Sequence, residues 1–171
     1  MMKKNIAKML NDQVNKELFS AYLYLEFNNW LMDQGFTGFA HWYRIQAMEE
    51  RDHAMLIYDY LHHNNETVDL QAIEQPNTEA QSVLDILKAG LEHEEYITAS
   101  IHDIYEVALK EKDYRTKEFL DWFVKEQGEE EANANDLIDR ATILGDDRKA
   151  LYIMNGELAT RAYAPPSLTI T

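Results

Sequence analysis

Four stretches of this sequence set carboxylates on faces that a helix would bury. Glu17 sits on a stripe with Val14, Leu18 and Ala21, and Glu94 stands between Leu91 and Ile97. Glu50 and His53 are three residues apart, so on a helix they project from one face. Glu126, Gln127, Glu129 and Glu130 follow the apolar run Phe119, Leu120, Trp122, Phe123 and Val124. Tyr24 adds a hydroxyl two turns after Glu17 on nearly the same face. An unpaired buried charge is expensive, and several acids brought to one depth repel one another. A metal ion resolves both problems, because a cation offsets the repulsion. The chain has no cysteine, which leaves carboxylate and imidazole donors. That donor set favours iron, manganese, magnesium or calcium over structural zinc.

No piece of this pattern is specific alone. Chance supplies about 0.6 Glu-x-x-His pairs in a chain of this composition, and an isolated pair reads as a surface ion pair or a cap. Glu129-Glu130-Glu131 alone reads as a solvated face. The weight comes from Glu17, Glu94 and Glu130 accompanying Glu50 and His53.

The elements that must position these groups are helices. Six glycines and three prolines punctuate the chain, so long stretches run without a breaker, and the residue mix is rich in good helix formers. Apolar spacing predicts helices over residues 4–33, 40–63, 82–111 and 114–144, then a short fifth over 146–162. Gly35 and Gly38 are read as ending the first, Asn64–Asn65 the second and Gly145 the fourth. Four long helices suggest a single all-α domain built as a four-helix bundle. Short connections make helices one–two and three–four antiparallel hairpins. The middle linker, over about 65–80, is longer. A helix of about 25 residues is roughly 38 Å long, and about 15 extended residues span roughly 50 Å. This crossover can therefore climb the bundle and set helices two and three parallel. The tail over 164–171, with Pro165–Pro166, is expected to be loose.

The formal charge of −15 argues against nucleic acid and acidic membranes, which require a basic patch. No segment reaches the length of a membrane span. Met-Met-Lys-Lys-Asn leads into an amphipathic pattern without an apolar signal core, so a cytoplasmic location is expected. His41, His62, His63, His93 and His102 read as surface or capping residues. Trp30, Trp42 and Trp122 read as core or interface, and Met48 and Met55 as core.

Along nearly its whole length the chain resembles the bacterial non-haem ferritins, within the ferritin-like diiron superfamily. The motifs are Asn15-Lys16-Glu17-Leu18-Phe19-Ser20-Ala21-Tyr22-Leu23-Tyr24, Ala47-Met48-Glu49-Glu50-Arg51-Asp52-His53, Leu91-Glu92-His93-Glu94 and Trp122-Phe123-Val124-Lys125-Glu126-Gln127-Gly128-Glu129-Glu130-Glu131. That superfamily takes one Glu from each of two helices and Glu-x-x-His from the other two. The resemblance implies a ferroxidase in which Glu17, Glu50 and His53 ligate a first iron. Glu50 would bridge to a second iron held by Glu94 and Glu130, with Gln127 nearby. Glu49, Glu126 and Glu129 would form a looser third site sharing Glu130, and Tyr24 would donate a hydrogen bond or an electron. Fe(II) would be oxidised by O2 or H2O2 through a peroxo-diferric intermediate, and the ferric product stored as mineral. The family assembles 24 chains with the fifth helix at the four-fold axes. At 20.0 kDa per chain that is about 480 kDa in closed octahedral symmetry.

Helix four departs from the symmetric pattern, reading Gln127-x-x-Glu130 in place of Glu-x-x-His. A neutral amide binds iron poorly beside a carboxylate, so the second iron is expected to be the weaker and more mobile. Gly128 should cost about 1 kcal/mol relative to Ala in a helix; close backbone packing would account for it. The haem-binding relatives place a methionine where Arg51 and Asp52 stand, so no haem is expected. Ala150, Leu151, Ile153, Met154 and Leu158 in the fifth helix fit either a subunit interface or a cover for the bundle's end. Two other readings stay open: a small diiron oxidase acting on an organic substrate, and a non-catalytic acidic bundle that buffers cations.

Overall fold

The computed structural model describes residues 2–145 and 147–170. Helical periodicity is realised in α1 (Lys4–Asp33), α2 (Thr37–His63), α3 (Val83–Lys110), α4 (Tyr114–Leu144) and α5 (Arg148–Leu158). Local chemistry sets the ends. Gly35, at φ 82°, turns the chain out of α1. Ser82 Oγ accepts from Asp85 N at 3.1 Å while an Asp85 carboxylate oxygen accepts from Gln81 N at 3.0 Å, pinning the start of α3 from both sides. Asp113 and Asp147 cap α4 and α5. The fifth helix was expected to begin at Asp146, which lies outside the described residues, and it closes at Leu158, earlier than anticipated.

Gly38 does not end α1. It lies in the first turn of α2, which starts three residues earlier than the apolar pattern suggests, and its role is close approach. A Cβ there would meet Asn155 O of α5 at 1.7 Å. The α2 N-terminus has no side-chain cap of its own. Asn155 Oδ1 fills that role from another helix, accepting from Gly38 N at 2.7 Å and Phe39 N at 3.1 Å.

Two apolar clusters show how the helices run. One joins Ile6, Leu10 and Val14 of α1 to Ile57 and Leu61 of α2, Ile97, Ile101 and Ile104 of α3, and Phe119, Leu120 and Phe123 of α4. The other joins Phe27 and Leu31 of α1 to Phe39 and Tyr43 of α2, Ile86 and Leu87 of α3, Leu137 of α4, and Met154 and Leu158 of α5. Early α1 thus packs on late α2 and on late α3, and late α3 on early α4, so late α2 and late α3 share one end of the bundle. The two hairpins are antiparallel, and α2 and α3 point the same way. The crossover joins the two ends: Val68 packs on the first cluster and Ala80 on the second. It is pinned to α1 by paired bonds between Asn11 and the Asp69 backbone, at 3.0 and 2.8 Å.

The tail is not loose. Tyr163 donates to Asp52, Trp122 Nε1 donates to Ser167 Oγ at 3.0 Å, and Leu168 and Ile170 pack against the first cluster. Residues 161–170 therefore run back along α2 and α4. Among the described residues no helix is long and apolar enough to cross a membrane.

Candidate metal centre

Between the two apolar clusters lies a polar waist. Glu17 falls after Val14 and before Leu23, Glu50 and His53 between Ala47 and Ala54, Glu94 between Leu87 and Ile97, and Gln127 and Glu130 between Phe123 and Leu137. The antiparallel hairpins bring these midpoints to one depth. All six side chains are sealed: Glu17 and Glu50 are 1% exposed, His53 and Gln127 2%, Glu94 3% and Glu130 6%.

Glu17, Glu50 and His53 offer ligand atoms within 4.8 Å of one another, the one such group of three among the described residues. Four of their buried polar atoms have no hydrogen-bond partner: Glu17 Oε2, both Glu50 carboxylate oxygens and His53 Nδ1. Native interiors seldom leave such atoms unpaired, and here they face one another. His53 Nδ1 stands 3.6 Å from Glu50 Oε2. Edge-on contacts with Trp122 and Phe123, at ring separations of 5.5 and 6.0 Å, hold the imidazole. Carboxylate oxygens with one imidazole nitrogen make a donor set suited to Fe(II), and the orphaned atoms are what such an ion would satisfy.

Electrostatics repeat the point. Burial, then the neighbouring Glu50, pushes the Glu17 carboxyl up to about 8. Burial and then Glu94 and Glu130 drive Glu50 well above the ordinary carboxylate range. A cation would reverse both shifts.

Glu94, Gln127 and Glu130 are arranged differently. Glu94 accepts from the Tyr24 hydroxyl and, through Oε2, from Gln127 Nε2 at 3.0 Å. Gln46 Nε2 donates to Glu130 Oε2 at 2.8 Å. Burial raises both carboxyls, and that of Glu130 reaches about 7. Burial and Glu94 keep Tyr24 protonated and able to donate.

Glu49, Glu126 and Glu129 are not gathered into a site. Glu49 pairs with Arg161, Glu126 is half-buried, and the exposed Glu129 pairs with Lys125 at 3.3 Å. His93 is not a surface residue. It packs against Phe19 and Tyr24 and bonds Ser20 Oγ at 2.7 Å, and burial lowers its pKa to about 4. Met55 is exposed, not core. Gly128 faces open space, so close packing does not explain it.

Sequence reasoning assigned no role to two glutamines that orient the acids. Gln13 Nε2 donates to Glu17 Oε1 at 2.8 Å; Ser100 Oγ donates to Gln13 Oε1 at 2.6 Å, and Lys16 Nζ to Ser100 Oγ at 2.6 Å. This chain of donors occupies Oε1 and leaves Oε2 free. Gln46 fixes Glu130 from α2. The available signal was spacing, since Gln13 and Gln46 lie four residues before Glu17 and Glu50 on the same buried faces.

The ferritin-like domain family matches residues 7–143. The chain is 40% identical over 163 residues to a bacterial non-heme ferritin of Staphylococcus haemolyticus, covering 95% of this chain and 98% of that one. A bacterial non-heme ferritin of Campylobacter jejuni is 38% identical over 153 residues, 90% and 92% of the two chains. This chain belongs to the ferritin family. Its ferritin fold also matches the open pore ferritin of Archaeoglobus fulgidus with a TM-score of 0.93 at 38% identity, covering 95% of this chain and 100% of that one. A humanized archaeal ferritin gives 0.95 at 38% identity over 96% of this chain and 100% of its own. In this ferritin, as in the pattern read from sequence, the paired acids sit inside the bundle and not on its surface.

Proposed function

We propose that this ferritin stores iron and that each chain is a ferroxidase, oxidising Fe(II) at the waist of its bundle. The observation that carries the reading is the set of four buried, unpartnered ligand atoms on Glu17, Glu50 and His53. Fe(II) enters there first, displacing the proton that burial holds on Glu17. A second Fe(II) is taken by Glu94 and Glu130, with Glu50 as the bridge and the Gln127 carbonyl as a weak donor. Each iron gives up one electron. Two electrons and two protons reduce O2 to H2O2, or reduce H2O2 to two waters. Tyr24, bonded to Glu94, keeps its proton and orients that carboxylate. Glu94 and Glu130 also line a narrow cleft with Gln46 and Asn133.

Storage requires an enclosure, and this chain forms one with copies of itself. Met154 and Leu158 of α5 are buried against the bundle's end, but Ile143, Tyr152 and Ile153 remain 84%, 74% and 66% exposed. That apolar surface supports assembly into a 24-chain shell.

The test is rapid-mixing Fe(II) oxidation at two irons per chain, with O2 or H2O2, on assembled protein. The double variant Glu50→Ala, His53→Ala should lose the fast phase while keeping a particle mass of about 480 kDa. Parent-like oxidation by that variant would support a non-catalytic acidic bundle instead. A parent of much lower mass that oxidises an organic substrate would support a small diiron oxidase.

A further inference from the structure

The imidazole of His53 is aimed by packing. Its Nδ1 has no hydrogen-bond partner among the described residues, and rings meet it edge-on from Trp122 at 5.5 Å and Phe123 at 6.0 Å. The last side-chain torsion of histidine has a broad profile. A ring held by packing is therefore only as well aimed as the groups that pack on it. A metal-binding histidine usually gains that aim from a hydrogen bond to an outer partner, and losing such a partner weakens the metal.

The two aromatic neighbours differ in how firmly they are held. Phe123 is 1% exposed and packs on Phe119 at 5.2 Å inside the apolar cluster. Trp122 is only half-buried. Its indole N–H donates to Ser167 Oγ at 3.0 Å, a residue 45 positions later in the C-terminal strap. The strap is anchored on both sides of that contact. Tyr163 donates to Asp52, next to His53, and Leu168 and Ile170 pack on the cluster that contains Phe123. Between the anchors lie Pro165 and Pro166, whose rings fix φ. A stiff segment delivers Ser167 to one place with little chain entropy to lose.

We propose that Ser167 is a positioning residue for the first iron: by holding the Trp122 indole it fixes the plane of the His53 ring. The strap is then a remote part of the entry site, acting through one aromatic contact. The inference rests on the reading of His53 as a ligand of the first iron.

The experiment is anaerobic Co(II) titration of the assembled, metal-free protein, followed by visible absorption. It compares the parent with Ser167→Ala, Ser167→Thr, Trp122→Phe, the double variant Ser167→Ala, Trp122→Phe, and His53→Ala. Ser167→Ala should weaken the tighter equivalent by about tenfold, the low end for loss of an outer partner, and leave the weaker equivalent unchanged. Ser167→Thr keeps the hydroxyl and should bind as the parent does. Phenylalanine at position 122 has no N–H to hold, so Ser167→Ala should add nothing in that background. Parent-like binding by Ser167→Ala would overturn the proposal. So would an equal loss at both equivalents, which is general loosening of the bundle, or an undiminished effect of Ser167→Ala when Trp122 is replaced. A His53→Ala chain that keeps the tighter equivalent would overturn the entry-site reading itself and the positioning role with it; the other three results overturn the positioning role alone.

Discussion

The two halves of the metal centre are equally buried yet opposite in hydrogen bonding. Around Glu17, Glu50 and His53, four polar atoms have no partner. Around Glu94, Gln127 and Glu130, the carboxylates are bonded by Tyr24, Gln127 and Gln46. The first half lowers its energy by taking a cation. The second must give up bonds to charged acceptors that are worth about 1.5–3 kcal/mol each. One half presents unpartnered donors that a cation would satisfy, and the other has a hydrogen-bonded arrangement of its own. That asymmetry fits the proposed ferroxidase, in which the second iron is the one to leave.

His53→Ala should have the largest effect. Removing a ligand from the half with unpartnered donors should weaken the tighter equivalent by more than about 100-fold, since loss of an outer partner alone costs about 10- to 100-fold. Anaerobic Co(II) titration followed by visible absorption would read it. If the weaker equivalent suffered the greater loss, the proposed order of filling would be wrong.

The next effect is on pH dependence. Glu17 is raised from 4.5 to about 8 and Glu130 to about 7. The metal-free folded chain therefore holds protons that the unfolded chain has released. Such groups stabilise fully below pH 4.5, and the benefit is lost as pH rises through about 8. Metal-free protein should lose on the order of a few kcal/mol between pH 5 and pH 8. Glu17→Gln should flatten that slope and raise the apo midpoint at pH 8, as measured by thermal unfolding. In the parent, metal affinity should rise with pH over the same window, with proton release detectable by calorimetry in buffers of different ionisation enthalpy. A parent most stable without metal at pH 8 would contradict the raised carboxyls at the waist.

Gln127→Glu bears on the other half. A second carboxylate in place of the amide should tighten the weaker equivalent by about tenfold and slow release of product, visible as reduced turnover after the first cycle. No change would place the asymmetry in the bonds from Tyr24 and Gln46 and not in ligand identity.

Most of the frame was legible because apolar periodicity is a local property. The spans of α1 and α4, and the placing of Glu17, Glu50–His53 and Glu94 on faces a helix would bury, could be read from spacing, whereas Glu130 stood out from Glu126 and Glu129 only through the family resemblance. What escaped was set by other helices. Gly38 resembled a terminator because its reason, Asn155 of α5, lies 117 residues away. Spacing put Gln46 on the buried face of Glu50 but could not show its partner, because the carboxylate it bonds belongs to α4. The tail was read as loose from its prolines, whereas Tyr163, Ser167, Leu168 and Ile170 each find a partner in the bundle. Spacing reports which residues share a face, but not which distant group that face will meet.

Gly128 gives the smallest effect and a clean control on the comparison. It sits next to Gln127 in the middle of α4, and a Cβ there would meet nothing within 4 Å. Its φ is not among the positive values, so alanine fits the backbone as it stands. Gly128→Ala should therefore stabilise the protein by up to about 1 kcal/mol through helix propensity, measured as a rise in the denaturation midpoint. If the second half is weak because of its ligands and its bonded resting state, this variant should bind the weaker equivalent as the parent does. If the weaker equivalent tightens as the helix stiffens, flexibility of α4 is part of what keeps the second iron mobile, and the hydrogen bonds from Tyr24, Gln127 and Gln46 explain only the remainder.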